Sequence, residues 1–483
     1  MNYKMMGRFI AQIIAVEALF MLPALGISIG YGEGPAVKAF LITIAVILAL
    51  AGVLFPLCRR AGRLFGAREG LVCVAVSWII MSLLGALPFV LCGQVKSYVD
   101  ALFEIVSGFT TTGASVIADV EGLYWGILYW RSFSHWIGGM GVLVFLLAIL
   151  PGSQGAGFTM YLLRAESPGP DVGKLVPKMR QTAVILYVIY VVMTVINVIF
   201  LLAGDMPWLH ALCTAFGTAG TGGFGVFNSS MAEVSPYIQN VTTVFMFLFG
   251  VNFSCYYLMV MRQFRGVVKD EELRMYVGLA LACVVALVIS IRPLYTTLEE
   301  TIRHAAFQVS SIMTTTGYSS TDFDLWPGFA KSILALLMIV GASAGSTGGG
   351  LKCIRVLLLF KILGRNIRQI LNPRKVLVIR NNGRVMDEKV LDNLNAYLAA
   401  YVIILIICTL LISVDGFSLE TNLSAVLATF NNIGPGFAAV GPTCTFADFS
   451  VFSKLVMIFC MLAGRLEIFP MLILFVKSTW SRK

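Results

Sequence analysis

Eight stretches of the chain are apolar almost without interruption: residues 9–30, 38–58, 71–93, 183–203, 241–261, 275–291, 396–414 and 454–476. Each is close to the roughly 20 residues that a helix needs to cross a bilayer. A chain with so many such runs has little choice but to fold inside a membrane, and the pattern predicts an all-α, multi-pass integral membrane protein. Composition agrees. Hydrophobic residues are 58% of the 483 and charged residues 12%, about half the charge of an ordinary soluble chain. The first run has no small-residue cleavage site after it, so it is read as a retained span rather than a signal peptide.

The net charge of +10 is unevenly distributed. Basic residues collect at Arg59, Arg60, Arg63 and Arg68, at Lys174, Lys178 and Arg180, at Arg262, Arg265, Lys269 and Arg274, and most densely from Lys352 to Lys389. The intervening loops are acidic: Asp119 and Glu121, Asp205, Glu233, Asp322 and Asp324, Asp415 and Glu420, Asp448. The positive-inside rule places the basic loops and both termini in the cytoplasm. This alternation speaks for a lipid bilayer as the chain's partner and against nucleic acid. The ten cysteines are scattered without a C-x-x-C pair, as packing thiols would be. His135, His210 and His304 lack metal-ligand spacing and are read as structural or interfacial.

A repeat lies beneath the hydropathy. Four times, a long apolar helix is followed by a short apolar segment, a polar glycine-bearing stretch and a second apolar helix. The four stretches read TTTGAS (110–115), AGTGGF (219–224), TTTGYS (314–319) and NNIGPG (431–436). Aligned on one glycine each, they pair Gly113, Gly222, Gly317 and Gly434. Non-helical backbone survives at membrane depth only where it is buried in protein or lines a water-filled path. Four such strands around an axis would turn carbonyl oxygens inward, as cation filters do. The short segments 99–109, 207–217, 299–312 and 421–430 would aim the negative ends of their helix dipoles at a cation. Taken singly, TTTG is an ordinary loop. GTGGFG (220–225) lacks the βαβ context of a dinucleotide site, and GSTGGG (345–350) lacks the lysine of a phosphate loop.

FEIVSGFTTTGAS, HWIGGMGVLVFLLAILP, GASAGSTGGGLKCIRVLLL, NNIGPGF and MLAGRLEIFPMLIL together resemble the Trk/Ktr/HKT superfamily of potassium transporters, most closely the membrane subunit of the bacterial Trk uptake system. The resemblance spans essentially the whole chain. It implies four pseudo-symmetric helix–pore-loop–helix repeats around a central ion pore, preceded by an extra helix pair. The corresponding boundaries are 1–67 for the pair and 68–150, 151–262, 263–370 and 371–483 for the repeats. The implied potassium filter comprises Thr110, Thr111, Thr112 and Gly113; Ala219, Gly220, Thr221 and Gly222; Thr314, Thr315, Thr316 and Gly317; and Asn431, Asn432, Ile433 and Gly434. Glycine in all four copies implies K⁺ rather than Na⁺, since serine at the first goes with sodium transport in related proteins.

The stretch 341–350 cannot remain regular helix, and the resemblance makes it a gate beneath the filter: Gly345, Ser346, Thr347, Gly348, Gly349 and Gly350, together with the intramembrane Arg465. No bulky side chain of its own pins that stretch, and no regular hydrogen-bond ladder is expected to hold it closed, so two conformations of similar energy are expected. Arg465 has an alternative reading as half of a structural ion pair. The resemblance further implies a homodimer in the bacterial inner membrane. It also implies a cytosolic TrkA-type ring that carries the regulatory nucleotide, so that this chain holds no cofactor beyond K⁺ in its filter. Two other readings stay open. A symporter coupling K⁺ to H⁺ or Na⁺ would need titratable groups at the midplane, and few acids are evident there. A membrane-embedded enzyme would need clustered acids or histidines, and none is seen.

Overall fold

The computed structural model describes residues 2–58, 67–141 and 179–480. Arg59, Arg60, Arg63, Lys174, Lys178, Arg482 and Lys483, and the end of the HWIGGMGVLVFLLAILP motif, lie outside them. Among the described residues the protein is almost wholly helical, with six helices long and apolar enough to cross a membrane.

An antiparallel pair, Tyr3–Gly30 and Gly34–Leu57, comes first, turned by Gly32 at φ +72°. Four sets of outer helix, pore helix and inner helix follow. The outer helices are Ala67–Gly85, Met179–Leu202, Glu271–Ile291 and Glu388–Ile412. The pore helices are Tyr98–Phe109, Trp208–Gly220, Leu298–Met313 and Leu419–Phe430. At 12 to 16 residues and 1.5 Å per residue, they reach only about 18–24 Å and stop inside the bilayer. Three start on a hydroxyl cap: Ser97 accepts from Asp100 N, Thr297 from Glu300 N and Ser418 from Thr421 N. The second starts at Pro207–Trp208, where proline needs no N–H partner.

The inner helices are Trp125–Gly139, Pro236–Phe249, Gly328–Val340 and Val451–Arg465. Glycine lets two of them lie directly on their own pore-helix ends. A β-carbon on Gly138 would collide with the Phe109 carbonyl, and one on Gly464 with the Phe430 carbonyl.

Two of the long apolar runs are not continuous helices. Run 241–261 turns by 89° between Phe249 and Phe253, where Asn252 caps the next segment by accepting from Ser254 N at 2.9 Å. Run 454–476 ends as regular helix at Arg465, because Glu467 and Ile468 take φ of +61° and +65°. Hydropathy counts apolar residues and is blind to such breaks.

The third inner helix is interrupted from 341 to 352 and resumes as Cys353–Leu371. A short hairpin, Arg380–Asn381 against Arg384–Val385, follows through an Asn382–Gly383 turn at φ +48° and +78°, the geometry that Asn-Gly favours. On the outer helices, exposed apolar residues recur every fourth position, as at Leu281, Val285 and Ile289. That stripe would be costly in water and is at home in lipid.

Candidate ion pathway

Each pore helix hands over to a strand through the same bond. Thr112 N donates to Ser107 O, Gly222 N to Gly217 O, Thr316 N to Ser311 O and Ile433 N to Ala428 O, all at 2.8 Å. The residue before each is left-handed (Thr111 +56°, Thr221 +54°, Thr315 +58°, Asn432 +56°). The residue after each is a glycine with positive φ: Gly113 +81°, Gly223 +71°, Gly317 +83° and Gly434 +102°.

This corrects the alignment drawn from sequence in the second copy. The backbone equivalent of Gly113 is Gly223, not Gly222, and the strand runs 220–223. The second pore helix runs on through Gly220, so Ala219 lies inside the helix, packed near Tyr190 and Phe249. Two adjacent glycines offered two registers, and spelling could not choose between them.

The four strands form a closed ring. A β-carbon on Gly113 would strike the Gly222 carbonyl oxygen, one on Gly223 that of Thr316, and one on Gly317 that of Ile433. One on Gly434 would lie 2.8 Å from the Thr112 oxygen, which returns to the first copy. The four carbonyls thus belong to equivalent positions taken in cyclic order. Gly113, Gly223, Gly317 and Gly434 all line one cavity of about 120 Å³, with Arg131 and Asn228 at its wall.

Threonine triplets brace this backbone from behind. Thr110 Oγ1 donates to Val106 O at 2.7 Å and meets Thr112 Oγ1 at 2.7 Å; Thr314 and Thr316 repeat the pattern at 2.6 and 2.8 Å. The first hydroxyl ties strand to helix and the third ties to the first, while the middle residue makes the left-handed turn. The other copies use substitutes. Asn432 Nδ2 donates to Thr112 Oγ1 and Met461 O, both at 3.0 Å, and Asn431 pairs with Tyr401. In the second copy the His135 ring fills the space behind Gly222. Its Nδ1 lies 2.9 Å from Gly108 O and its Nε2 accepts from Phe224 N at 3.3 Å.

The strands that leave the ring in copies one and two are joined by a buried ion pair. Arg131 Nε lies 2.6 Å from Glu104 Oε1. Glu104 accepts from Ser115 Oγ and Val116 N at 3.0 Å each, and Arg131 donates to Gly225 O at 3.0 Å and covers the Phe224 ring at 3.6 Å. Sequence reading missed this pair. The signal was two charges set in apolar surroundings, in FEIV and YWRSF.

Stretch 341–350 lies directly against the ring. A β-carbon on Gly348 would sit 2.7 Å from Thr314 O, one on Gly349 would strike Asn431 O, and Gly349 N donates to Thr315 Oγ1 at 2.6 Å. Contrary to the expectation of a weakly held segment, side chains from elsewhere clasp it. Glu272 Oε1 accepts from Ala344 N at 2.6 Å and from Ile354 N at 3.1 Å, gripping the loop and the helix that follows. Phe253 N donates to Gly345 O at 3.0 Å, and Thr347 Oγ1 to Phe249 O at 3.3 Å. Lys352 Nζ donates to Gly348 O, and Ser346 Oγ closes on Ser343 O. Gly350, at φ +79°, packs on Gly341.

Arg465 donates to Thr347 O at 2.8 Å and to Gly138 O and Gly139 O at 2.5 and 2.7 Å. It therefore joins the loop to the end of the first inner helix. The glutamate two residues on, Glu467, pairs with Arg355, which also stacks over Tyr397 at 4.0 Å.

Comparison with known proteins places the chain as a whole. The TrkH family model, described as a cation transport protein, matches residues 36–483. The Trk system potassium uptake protein TrkH of Salmonella typhimurium is 34% identical, over 99% of this chain and all of that protein. The Trk system potassium uptake protein TrkG of Escherichia coli is 30% identical, over 97% of this chain and 96% of its own length. The crystal structure of the potassium transporter TrkH from Vibrio parahaemolyticus superposes with a TM-score of 0.89 at 30% identity, covering both chains completely.

Proposed function

The chain belongs to the TrkH family of cation transport proteins, and on that premise we propose that it takes up potassium through the ring of Gly113, Gly223, Gly317 and Gly434. One observation carries the reading: four carbonyls at equivalent positions, Thr112, Gly222, Thr316 and Ile433, meet in cyclic order beside one cavity. Carbonyl oxygens in that arrangement replace the water around a dehydrated cation, and the four pore-helix ends add their negative dipoles. Strands 110–113, 220–223, 314–317 and 431–434 are the filter, and K⁺ is the only ligand the reading requires. The ion moves without covalent chemistry.

Loop 341–350 with Arg465 is the gate, because it packs against the ring and is held by groups from four other segments, at Glu272, Phe249–Phe253, Thr315 and Arg465. The positive-inside rule puts that loop, the helix Cys353–Leu371 and both termini on the cytoplasmic side of a bacterial inner membrane. A cytosolic nucleotide-binding ring and a second copy of the chain complete the working unit. Purified protein in liposomes, with an outward gradient of K⁺ and external rubidium, tests the reading. Rubidium should accumulate at a rate unaffected by clamping pH and sodium equal on both sides. Uptake that vanishes without a proton or sodium gradient would favour the coupled symporter.

A further inference from the structure

We propose that a cleft beside the helix Cys353–Leu371 is a binding site for the phosphate headgroup of an anionic phospholipid. The cleft encloses about 380 Å³ between one side of that helix and the segment 377–380. Leu357 and Phe360 line it together with four cations, Lys361, Arg365, Arg368 and Arg380.

The charge does not balance internally. Lys361 pairs with Glu271, and Arg365 Nη1 lies 2.7 Å from Glu388 Oε1. Among the described residues, Arg368 and Arg380 form no ion pair, and no carboxylate lines the cleft. Four cations against two carboxylates leave a site that attracts an anion, and guanidinium forks suit phosphate oxygens in particular. A second copy of the chain would bring the same excess charge and gains nothing by docking here.

Depth selects a lipid over a soluble anion or an acidic protein. The apolar span of the third outer helix begins at Glu271, and Lys361 is bound to that residue. The cleft is therefore level with the membrane face, where basic pockets meet headgroups. Phe360, Leu363 and Ile367, on the same helix, are 66, 57 and 51% exposed, which provides a surface for acyl chains. Lys361 also donates to Arg380 O at 2.7 Å, fixing segment 377–380 as the far wall.

Native mass spectrometry of the purified full-length protein in detergent tests the site. The probes are phosphatidylglycerol and phosphatidylcholine with identical acyl chains. The parent should retain phosphatidylglycerol in preference to phosphatidylcholine. Arg368→Gln combined with Arg380→Gln should lower phosphatidylglycerol occupancy at least fivefold, while Arg368→Lys with Arg380→Lys, which keeps the charge and loses the planar fork, should fall between parent and the Gln variant. An unchanged gel-filtration profile and helix content certify the variants. Glycerol 3-phosphate, which lacks chains, should not compete at equal concentration. Equal occupancy in the Gln variant, equal retention of phosphatidylcholine, or full competition by glycerol 3-phosphate would each overturn the proposal.

Discussion

At Gly223 the backbone itself forbids a side chain. Its φ is +71° and the Thr316 carbonyl stands where a β-carbon would go. Gly223→Ala should therefore cost about 1–3 kcal/mol of local strain and lower the K⁺/Na⁺ permeability ratio by about tenfold for each 1.4 kcal/mol lost from the K⁺ site. At Gly222 the obstacle is the His135 ring instead. A double-mutant cycle separates the two: Gly222→Ala should add little in a His135→Ala background, whereas Gly223→Ala should add its full effect. Additivity at both positions would restore the register in which Gly222 is the ring glycine. Glu272 permits a second test. Its Oε1 is the acceptor for two buried N–H groups of the loop and the helix beyond it, each costing about 1–3 kcal/mol if orphaned. Glu272→Ala should raise rubidium flux by tenfold or more by releasing the loop, and Glu272→Gln, which keeps a carbonyl oxygen there, should match the parent. Reduced or unchanged flux in Glu272→Ala would refute the clasp. Neither His135 nor Glu272 announced its role in sequence, because their partners lie 89 and 72 residues away. Thr110–Gly113 and Thr314–Gly317 were legible because helix tie, turn and glycine are consecutive in the chain.

Among the elements, loop 341–350 is the most exacting to read. Five glycines in ten residues spell a break in the helix, and the break is there. The sequence is silent on what holds it, since every partner is distant in the chain: Glu272 and Thr315 from other elements of its own repeat, Phe249 from the second and Arg465 from the fourth. Removing residues 345–350 deletes the bonds to Thr315, Arg465 and Lys352 together. The shortened protein should show higher K⁺ flux, weaker dependence on its cytosolic regulator and little change in selectivity, because the four strands lie elsewhere in the chain and lose one hydrogen bond, at Thr315. Parent-like flux with regulation intact would reduce the loop to a kink. Arg465→Ala should also raise flux, because it severs the loop from the first inner helix at Gly138 and Gly139. Arg465→Lys, a single point donor in place of a planar fork, should fall between parent and alanine. A folded but inactive Arg465→Ala would make the residue a coupling element rather than a restraint. The pore helices were the easier elements: short apolar segments, each running into a polar glycine-bearing stretch, predicted within a few residues of where they lie.

For the molecule as a whole, charge alternation in the loops was the sequence's guide to orientation, and one native residue can check it. Nine of the ten cysteines are buried, and Cys444 is exposed at the cavity that holds the four ring glycines. In intact cells a membrane-impermeant maleimide should label Cys444 in the parent and nothing in Cys444→Ser. A cysteine placed at Arg368 in the Cys444→Ser background should stay unlabelled until the membrane is opened. Labelling at position 368 in intact cells would invert the topology. The fourfold architecture was legible because one unit recurs about every hundred residues, and its closure into a ring was not, because closure is a relation between copies. That closure is the centre of the account. The most direct measurement is the reversal potential across a planar bilayer containing the purified protein, with K⁺ on one side and Na⁺ on the other, for the parent and for serine at Gly113, Gly223, Gly317 and Gly434 in turn. A ring of equivalent glycines predicts a strongly K⁺-selective potential in the parent and a shift toward zero in all four variants. A parent that does not discriminate K⁺ from Na⁺, or variants that keep the parent's potential, would contradict it.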